Sequence, residues 1–295
     1  MSSAQKVVKY LAFGFAGFLA FAIISGIVAA GAGVLTAVGV IGSKGEETIS
    51  CDGYEKCLSL GLNYSELYIK TGDELKVETA ADDYEISQEK NKLVVKDKKK
   101  VSWFGNNSGR KVTVTVPSDM VFDAVGIGNG AGKIEVESLA TKELTMSVGA
   151  GETIIKDITV TEKAKIDTGA GKFVIENGSK INNAKISLGV GETNIRAAIM
   201  GDSKVDAGVG SVNLDLLLPD ADYEIKVDKG IGEIKFNGAS VSSGSVLGSG
   251  ENKIDIDGGI GEINVKTAEP VMHIVEKTDE KADADTKADT EVKTE

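Results

Sequence analysis

The feature that most constrains the fold is a glycine turn, G-x-G, that recurs at nearly constant spacing. Its first glycines stand at positions 130, 149, 169, 189, 208 and 230, so successive repeats are 19, 20, 20, 19 and 22 residues apart. A further copy begins at Gly259. Such a period indicates a supersecondary unit that can bury its apolar side only when a neighbouring unit stacks on it.

The segments beside the turns alternate in polarity and are rich in Val, Ile and Thr, as in 153–156 and 172–176. This pattern predicts strands. Glycine suits the turns because positive φ costs it nothing and because stacked backbones leave no room for a Cβ. We therefore predict an all-β fold: a β-solenoid-like stack over about 120–267, with about 20 residues per coil, after a β-rich lead-in at 58–124. The structural turn glycines are Gly149, Gly151, Gly169, Gly171, Gly189, Gly191, Gly208, Gly210, Gly230, Gly232, Gly259 and Gly261.

Composition narrows the function. The 295 residues include 36 glycines and three prolines, which fits a turn-rich β body. A net charge of −12 argues against nucleic acid as a partner, because phosphate binding needs clustered Lys and Arg. With two cysteines and one histidine, the usual zinc sites and histidine triads are nearly excluded. No cofactor is predicted.

The N-terminal region is strongly apolar, with no charged side chain between positions 11 and 41. A membrane span needs roughly 20 residues, so we predict one transmembrane helix at 10–42. A cleaved signal peptide is the competing interpretation, although the apolar run continues past the point where such a peptide turns polar. Lys6 and Lys9 predict a cytoplasmic N-terminus at 1–9 and an extracellular C-terminal domain in a single-pass cell-membrane protein.

Small residues recur at every fourth position of this segment, at Ala22, Gly26 and Ala30. This spacing would allow self-association of two helices, but Gly and Ala are also common in membrane helices generally. The linker that follows, 43–57, contains Cys51 and Cys57. Outside the cell they could form a disulfide; free thiols or a lipidated cysteine are the alternatives.

Between Val95 and Val112 lies a basic stretch with five lysines, one arginine and the only tryptophan. Trp103 and Phe104 at its centre could form a contact loop for anionic lipid or wall polymer. The alternative is a hairpin whose aromatic side chains fold back over the end of the stack.

The C-terminal tail, 276–295, has eight acidic residues, four lysines and almost no large apolar residue, which predicts disorder.

The residues 112–155 contain a strand, the step from Val116 to Pro117 and then repeated G-x-G turns followed by Glu or Lys. Together with the lead-in SELYIKTGDELKVET, they resemble the bacterial adhesin-like, or toast-rack, domain family, a domain of unknown function, over roughly 58–267. The resemblance implies an extracytoplasmic β-repeat domain, here 58–275, commonly tethered by a membrane helix. It implies no established enzymatic activity and offers no catalytic residues.

A ladder of Asp and Ser stands two positions before the first glycine of successive turns. Its members are Ser147, Asp167, Ser187, Asp206, Asp228 and Asp257. One hypothesis is that the end from Asp206 to Asp228 collects oxygen ligands for calcium. The alternative, that these side chains cap the following turn amides, is favoured because calcium-binding solenoids bring several carboxylates to each turn. No metal site is predicted.

A row of glutamates follows the glycines, at Glu152, Glu192, Glu233 and Glu262. Carboxylate glycosidases need a positioned pair and a substrate groove, whereas these coils predict minimal loops and no aromatic platform. The sequence GNGAGK at 128–133 approaches a phosphate loop, but it lacks the Ser or Thr after the lysine and precedes a strand pattern. We therefore predict no catalytic residues.

These observations favour a membrane-anchored, extracytoplasmic surface interaction or adhesin-like structural module that binds a cell-envelope polymer or protein. The alternative is an envelope-stress sensing or regulatory protein whose β domain controls a partner membrane protein. An enzyme acting on wall glycans is the third interpretation. Specificity is expected in the Trp103 loop and in the long interval from Gly230 to Gly259, where the repeats differ.

Overall fold

A computed structural model describes residues 49–80, 83–98, 109–268 and 274–275. In these ranges the chain is nearly all β-structure, so the all-β prediction is confirmed; a short 3-10 helix occupies Asp220–Asp222. The strands are β1 (Cys57–Gly72), β2 (Lys76–Thr79), β3 (Tyr84–Glu89), β4 (Lys92–Asp97), β5 (Lys111–Pro117), β6 (Val121–Val136), β7 (Leu139–Ile155), β8 (Ile158–Asn182), β9 (Ala184–Ser187), β10 (Val190–Met200), β11 (Asp202–Asp206), β12 (Val209–Leu216), β13 (Tyr223–Asp228), β14 (Ile231–Phe236), β15 (Ala239–Ser240), β16 (Ser245–Gly248), β17 (Asn252–Asp257), β18 (Ile260–Thr267) and β19 (Ile274–Val275).

The predicted transmembrane helix and the predicted C-terminal tail lie outside the described residues. Within the described ranges, no helix has the length and apolar character needed to cross a bilayer.

The strands wind into coils that pair in parallel, with like positions of successive coils in register. We number the coils of the described residues in the order in which they stack. Coil 1 contains β4 and β5, coil 2 is β1, coil 3 is β6, coil 4 is β7, coil 5 is 158–176, coil 6 is 179–196, coil 7 is 197–216, coil 8 contains β17 and β18, and coil 9 contains β13 and β14. The stack therefore begins earlier than predicted, because the lead-in supplies coils 1 and 2.

The order of stacking departs from chain order at both ends. The chain enters as coil 2, moves out to coil 1 and returns to coil 3 on the other side of coil 2. At the far end it passes from coil 7 to coil 9 and returns as coil 8 between them. The assumption that the ladder runs Asp206, Asp228, Asp257 is therefore wrong: Asp257 lies between the other two.

The interior is filled by stacked aliphatic side chains, because alternation along each strand turns every second residue inward. One such column runs through coils 4 to 9 with every member at most 1% exposed. It contains Met146, Ile166, Ile186, Val205, Ile256 and Val227. Each fully buried side chain of this size contributes roughly 1.5–3 kcal/mol, which is why a coil gains stability from its neighbours.

Both ends of the stack are covered by antiparallel strands. β2 and β3 pair with β5 and β4 on coil 1, while β15 and β16 pair with β14 and β13 on coil 9. β19 pairs with β16. An exposed parallel coil would offer a row of unpaired backbone groups to another chain, so these short strands protect the ends of the stack.

The segment before β1 is attached to coils 2 and 3. Cys51 and Cys57 are joined by a disulfide, and the Asp123 carboxylate accepts backbone hydrogen bonds from Glu55 and Lys56 at 3.2 and 3.0 Å. The Ser59 hydroxyl donates to the Ile49 carbonyl at 2.8 Å. The polypeptide that leads from the predicted anchor is thus held to the stack from residue 49 onward.

Candidate interaction surface

The glycine turns of successive coils lie one above another and form an edge that we call the glycine corner. A Cβ at any of the twelve predicted turn glycines would lie 1.8–2.1 Å from a carbonyl oxygen of the neighbouring coil. At Gly171, for example, the distance would be 1.9 Å, to Gly151, and φ is +135°. The repeat therefore encodes close backbone stacking, which no other residue type permits there.

The middle residue of each G-x-G turn points outward and increases in size along the stack. Coils 4 and 5 have Ala150 and Ala170, whereas coils 6 to 9 have larger side chains that we call the aliphatic ridge. These are Val190, Val209, Ile260 and Ile231, which are 54%, 45%, 52% and 73% exposed. The cavity beside them measures only about 40 Å³, room for about one water molecule.

At the N-terminal end of the glycine corner the glycines are replaced by Asn63 and Ser65 of coil 2. This end is held by side chains. Arg110 forms an ion pair with Asp97, donates from Nη1 to Asp83 at 2.7 Å and lies 4.9 Å from the centre of the Tyr84 ring. The Asp97 side chain is 2% exposed and that of Arg110 is 10% exposed. Burial raises the pKa of Asp97, against the lowering effect of its hydrogen bonds and of Arg110.

The strands that follow the glycine corner form one side of the stack, which we call the charged face. Outward positions there are in register across the coils and make three rows. From coil 1 to coil 9, row A is Lys111, Glu66, Lys133, Glu152, Lys172, Glu192, Ser211, Glu262 and Glu233. Row B is Thr113, Tyr68, Glu135, Ile154, Val174, Asn194, Asn213, Asn264 and Lys235. From coil 2 to coil 8, row C is Lys70, Glu137, Lys156, Glu176, Arg196, Asp215 and Lys266.

The sign of the charge alternates from coil to coil along this face. Row C changes sign at every step over seven coils, and row A does so from Lys111 to Glu192. Because opposite charges on adjacent strands attract, the alternation favours the observed pairing of neighbouring coils over a stacking order that would place like charges on adjacent coils. The alternation of charge is present in the sequence, since the residues after successive turns are Lys133, Glu152, Lys172 and Glu192. The row of glutamates taken alone does not show it.

Ion pairs occur on part of the face. Lys235 lies 2.9 Å from Glu262 and 3.2 Å from Glu233, and these contacts raise its pKa, the Glu262 hydrogen bond most strongly. Lys156 and Lys133 bind Glu135 at 3.2 and 3.3 Å and lower its pKa. The acidic row at coils 8 and 9 is therefore partly neutralised by a lysine between its two carboxylates.

From coil 4 to coil 8, the side chains of row B change from apolar to amide. The Asn213 Nδ2 donates to Asn194 Oδ1 at 2.7 Å, and Asn264 Nδ2 donates to Asn213 Oδ1 at 3.2 Å. Asn194 Nδ2 in turn donates to Glu192 at 2.7 Å.

Between rows B and C on coils 5 to 7 lies an open groove of about 350 Å³, which we call the amide groove. Its outward side chains are Val174, Glu176, Asn194, Arg196, Asn213 and Asp215.

The aspartate ladder lies on the side of the stack that precedes the glycine corner. Lys204 Nζ lies 2.9 Å from Asp206 and 2.7 Å from Asp257, so an ammonium group occupies the space between these two carboxylates. The hydrogen bond from Lys204 lowers the pKa of Asp257. Among the described residues no cluster of three or more His, Cys, Asp or Glu is placed to hold a metal ion.

The sequence also singled out a cysteine pair and an aromatic loop. Cys51 and Cys57 form a disulfide at the N-terminal end of β1, whose first residue is Cys57. Trp103 and Phe104, the predicted contact loop, lie outside the described residues. The amide groove was missed, because its residues come from three repeats and no single repeat shows a motif.

The described geometry can be set beside known proteins. The family model described as Toastrack DUF4097 matches residues 65–294. No curated protein matches the sequence. A crystal structure described as a "putative cell adhesion protein" from Clostridium sporogenes is 18% identical, covers 75% of this chain and 97% of its own, and has a TM-score of 0.30. One described as a "putative adhesin" from Bacteroides fragilis is 15% identical, covers 69% of this chain and 92% of its own, and has a TM-score of 0.37.

Proposed function

Because this chain belongs to the Toastrack DUF4097 family, we propose that it is a membrane-anchored surface module that uses its charged face to bind a cell-envelope partner, without catalysis. The stack is a rigid support in which each coil fixes the next. Its outward side chains therefore stand at a regular spacing of about 4.8 Å, which suits a partner that is itself extended and repetitive.

The observation that carries the proposal is the set of unpaired charges in row C. Lys70, Glu176, Arg196, Asp215 and Lys266 make no ion pair within the described residues, although each has an oppositely charged neighbour in the adjacent coil. All but the half-buried Asp215 are exposed. Charged groups that are held in position and left unpaired remain available to a partner.

Two observations support an extracellular position for the stack. The uncharged segment 11–41 is long enough to span a bilayer, and Lys6 and Lys9 before it favour a cytoplasmic N-terminus. The Cys51–Cys57 disulfide lies in the linker that follows that segment, and disulfides persist in oxidising compartments.

The position is tested with an epitope tag placed after Glu295 of the full chain in a bacterial host. We expect antibody to label intact cells, or spheroplasts where an outer layer hinders access, as strongly as permeabilised cells. Labelling only after permeabilisation would contradict the proposed topology.

Binding is tested with the full chain in detergent micelles, sedimented with cell-wall material freed of protein. We expect co-sedimentation that weakens as salt is raised, because exposed charges are screened. Sedimentation no greater than that of an unrelated acidic membrane protein would contradict the proposal. Capture of one membrane protein in place of wall material would favour the regulatory alternative.

A further inference from the structure

We propose that the amide groove is a binding site for an acidic oligosaccharide, with a sugar carboxylate on Arg196 and sugar hydroxyls on the neighbouring amides and carboxylates. The inference rests on the proposed function, since it specifies the ligand class and the part of the charged face that binds it. The site is built from coils 5, 6 and 7.

Arg196 is the centre of the site. Its side chain is exposed and makes no hydrogen bond or ion pair with any of the residues that the structure describes. A guanidinium group offers a planar fork of donors that matches a carboxylate with two parallel hydrogen bonds. The other arginine of the described residues, Arg110, lies at the N-terminal end of the glycine corner and is already engaged by Asp97 and Asp83.

The flanking charges select the kind of anion. Asp215 pairs with Arg196 across coils 6 and 7, and Glu176, at the register shift that follows Ile175, lines the same groove. The three groups together carry a net charge of −1. A polyanion with charges at every unit would meet these carboxylates and be repelled. A sugar acid brings one carboxylate among several hydroxyls, and those hydroxyls can donate to Glu176 and Asp215.

The opposite wall of the groove is suited to hydroxyl groups. Asn194 and Asn213 each use one N–H and one oxygen lone pair in hydrogen bonds to neighbouring side chains of the charged face, which fixes their orientation. Each retains a second N–H and further acceptor capacity. Val174 at the coil 5 end adds an apolar surface for the C–H side of a sugar ring.

The dimensions agree with a short glycan. The groove has a volume of about 350 Å³ and is open to solvent, so a bound glycan would lie along it with one side exposed. Three coils span about 9.6 Å at the usual strand spacing, the scale of a disaccharide. An extended peptide is disfavoured because peptides add to sheet edges through backbone hydrogen bonds, whereas the backbone under this face is paired on both sides.

The test measures binding of defined probes to the full chain in nanodiscs by isothermal titration calorimetry. The probes are a hexasaccharide alternating glucuronate with N-acetylglucosamine, a neutral hexasaccharide of N-acetylglucosamine, and a hexaglutamate peptide. We expect the acidic sugar to bind about tenfold or more tightly than either of the others, since a charge-assisted hydrogen bond supplies that much. Equal binding of the neutral sugar, or tighter binding of the peptide, would overturn the proposal.

Variants locate the site. Arg196→Gln should weaken binding of the acidic hexasaccharide about tenfold, and Arg196→Lys should weaken it less, because the charge stays while the fork is lost. Lys185→Gln is the matched control and should leave the affinity unchanged, since Lys185 is also exposed and makes no ion pair within the described residues but lies on the side of coil 6 that precedes the glycine corner. Equal affinity of Arg196→Gln and wild type would overturn the site, given unchanged thermal unfolding of the variant.

The two proposals fail separately. If Arg196→Gln and wild type both sediment with wall material to the same extent, the amide groove is not the site, although the surface module stands. If neither sediments, the surface function itself is contradicted.

Discussion

The glycine corner and the charged face are built on the same coils, yet they restrict the sequence in opposite ways. At the corner, adjacent backbones approach so closely that a Cβ would lie about 2 Å from a carbonyl oxygen, and every coil from 4 to 9 has glycine at both positions. On the face, side chains point to solvent, and one position changes from Val174 to Asn194 to Lys235 along a row. Residues that stay constant therefore serve stacking, and residues that vary are those on which the proposed binding depends.

The largest expected effect comes from placing a side chain in the corner. Gly171→Ala puts a methyl group 1.9 Å from the Gly151 carbonyl oxygen and forces alanine to φ +135°. Because the contact is with backbone on both coils, we expect a loss of at least about 4 kcal/mol in the free energy of unfolding. Denaturant unfolding followed by circular dichroism measures it.

Gly238→Ala is the matched control, since Gly238 has φ +83° but no atom within 4 Å of its Cβ position. We expect about 1 kcal/mol from backbone strain alone. Equal losses at the two glycines would show that strain, and not close stacking, determines the glycine requirement.

A smaller loss is expected where the corner is held by side chains. Arg110→Ala leaves Asp97 buried without its cation, which we expect to cost about 3 kcal/mol. Asp83→Asn is the control, because the Asp83 side chain is 55% exposed and its bond to Arg110 is solvated. A loss on Asp83→Asn as large as on Arg110→Ala would mean that the exposed half of the network matters as much as the buried half.

The interior should respond to alkaline pH before the charged face does. Tyr223 is fully buried in coil 9, and burial raises the pKa of its hydroxyl to about 12. The unfolded chain releases this proton near pH 10, so the contribution is complete below about pH 10 and is lost as pH rises towards 12. We expect a decline of about 2–3 kcal/mol over that range.

Tyr223→Phe removes the titrating group, so its stability should fall less steeply between pH 10 and 12 than that of wild type. Parallel pH profiles for the two proteins would contradict the assignment to Tyr223 and would place the alkaline sensitivity on the lysines.

The stacked β-structure could be predicted from the sequence. The glycine spacing indicates closely stacked backbones, and the alternation of apolar and polar residues along each strand indicates which side chains point inward, such as Met146, Ile166 and Ile186. The order of coils 8 and 9 could not, since both repeats present the same G-I-G turn and either would stack on coil 7. In the structure Val209 pairs with Ile260 and not with Ile231, a pairing between residues that are distant in the sequence. The amide groove has the same origin, because Asn194 and Asn213 meet only through stacking.

The smallest effect is expected on the charged face itself. Lys235→Gln removes the cation between Glu262 and Glu233, which leaves two carboxylates of adjacent coils facing each other. All three groups are solvated, so at physiological salt we expect Lys235→Gln to lower the melting temperature less than Gly238→Ala does. At low salt the fall caused by Lys235→Gln should be larger than at physiological salt, because the repulsion between the carboxylates is less screened. Lys266→Gln, which removes a lysine without an ion pair, should show less salt dependence. If Lys235→Gln destabilised the protein as much as Gly171→Ala, the charged face would stabilise the stack as strongly as the glycine corner does. The distinction between a turn that is constant among the repeats for stacking and a face that varies without loss of stability would then be wrong.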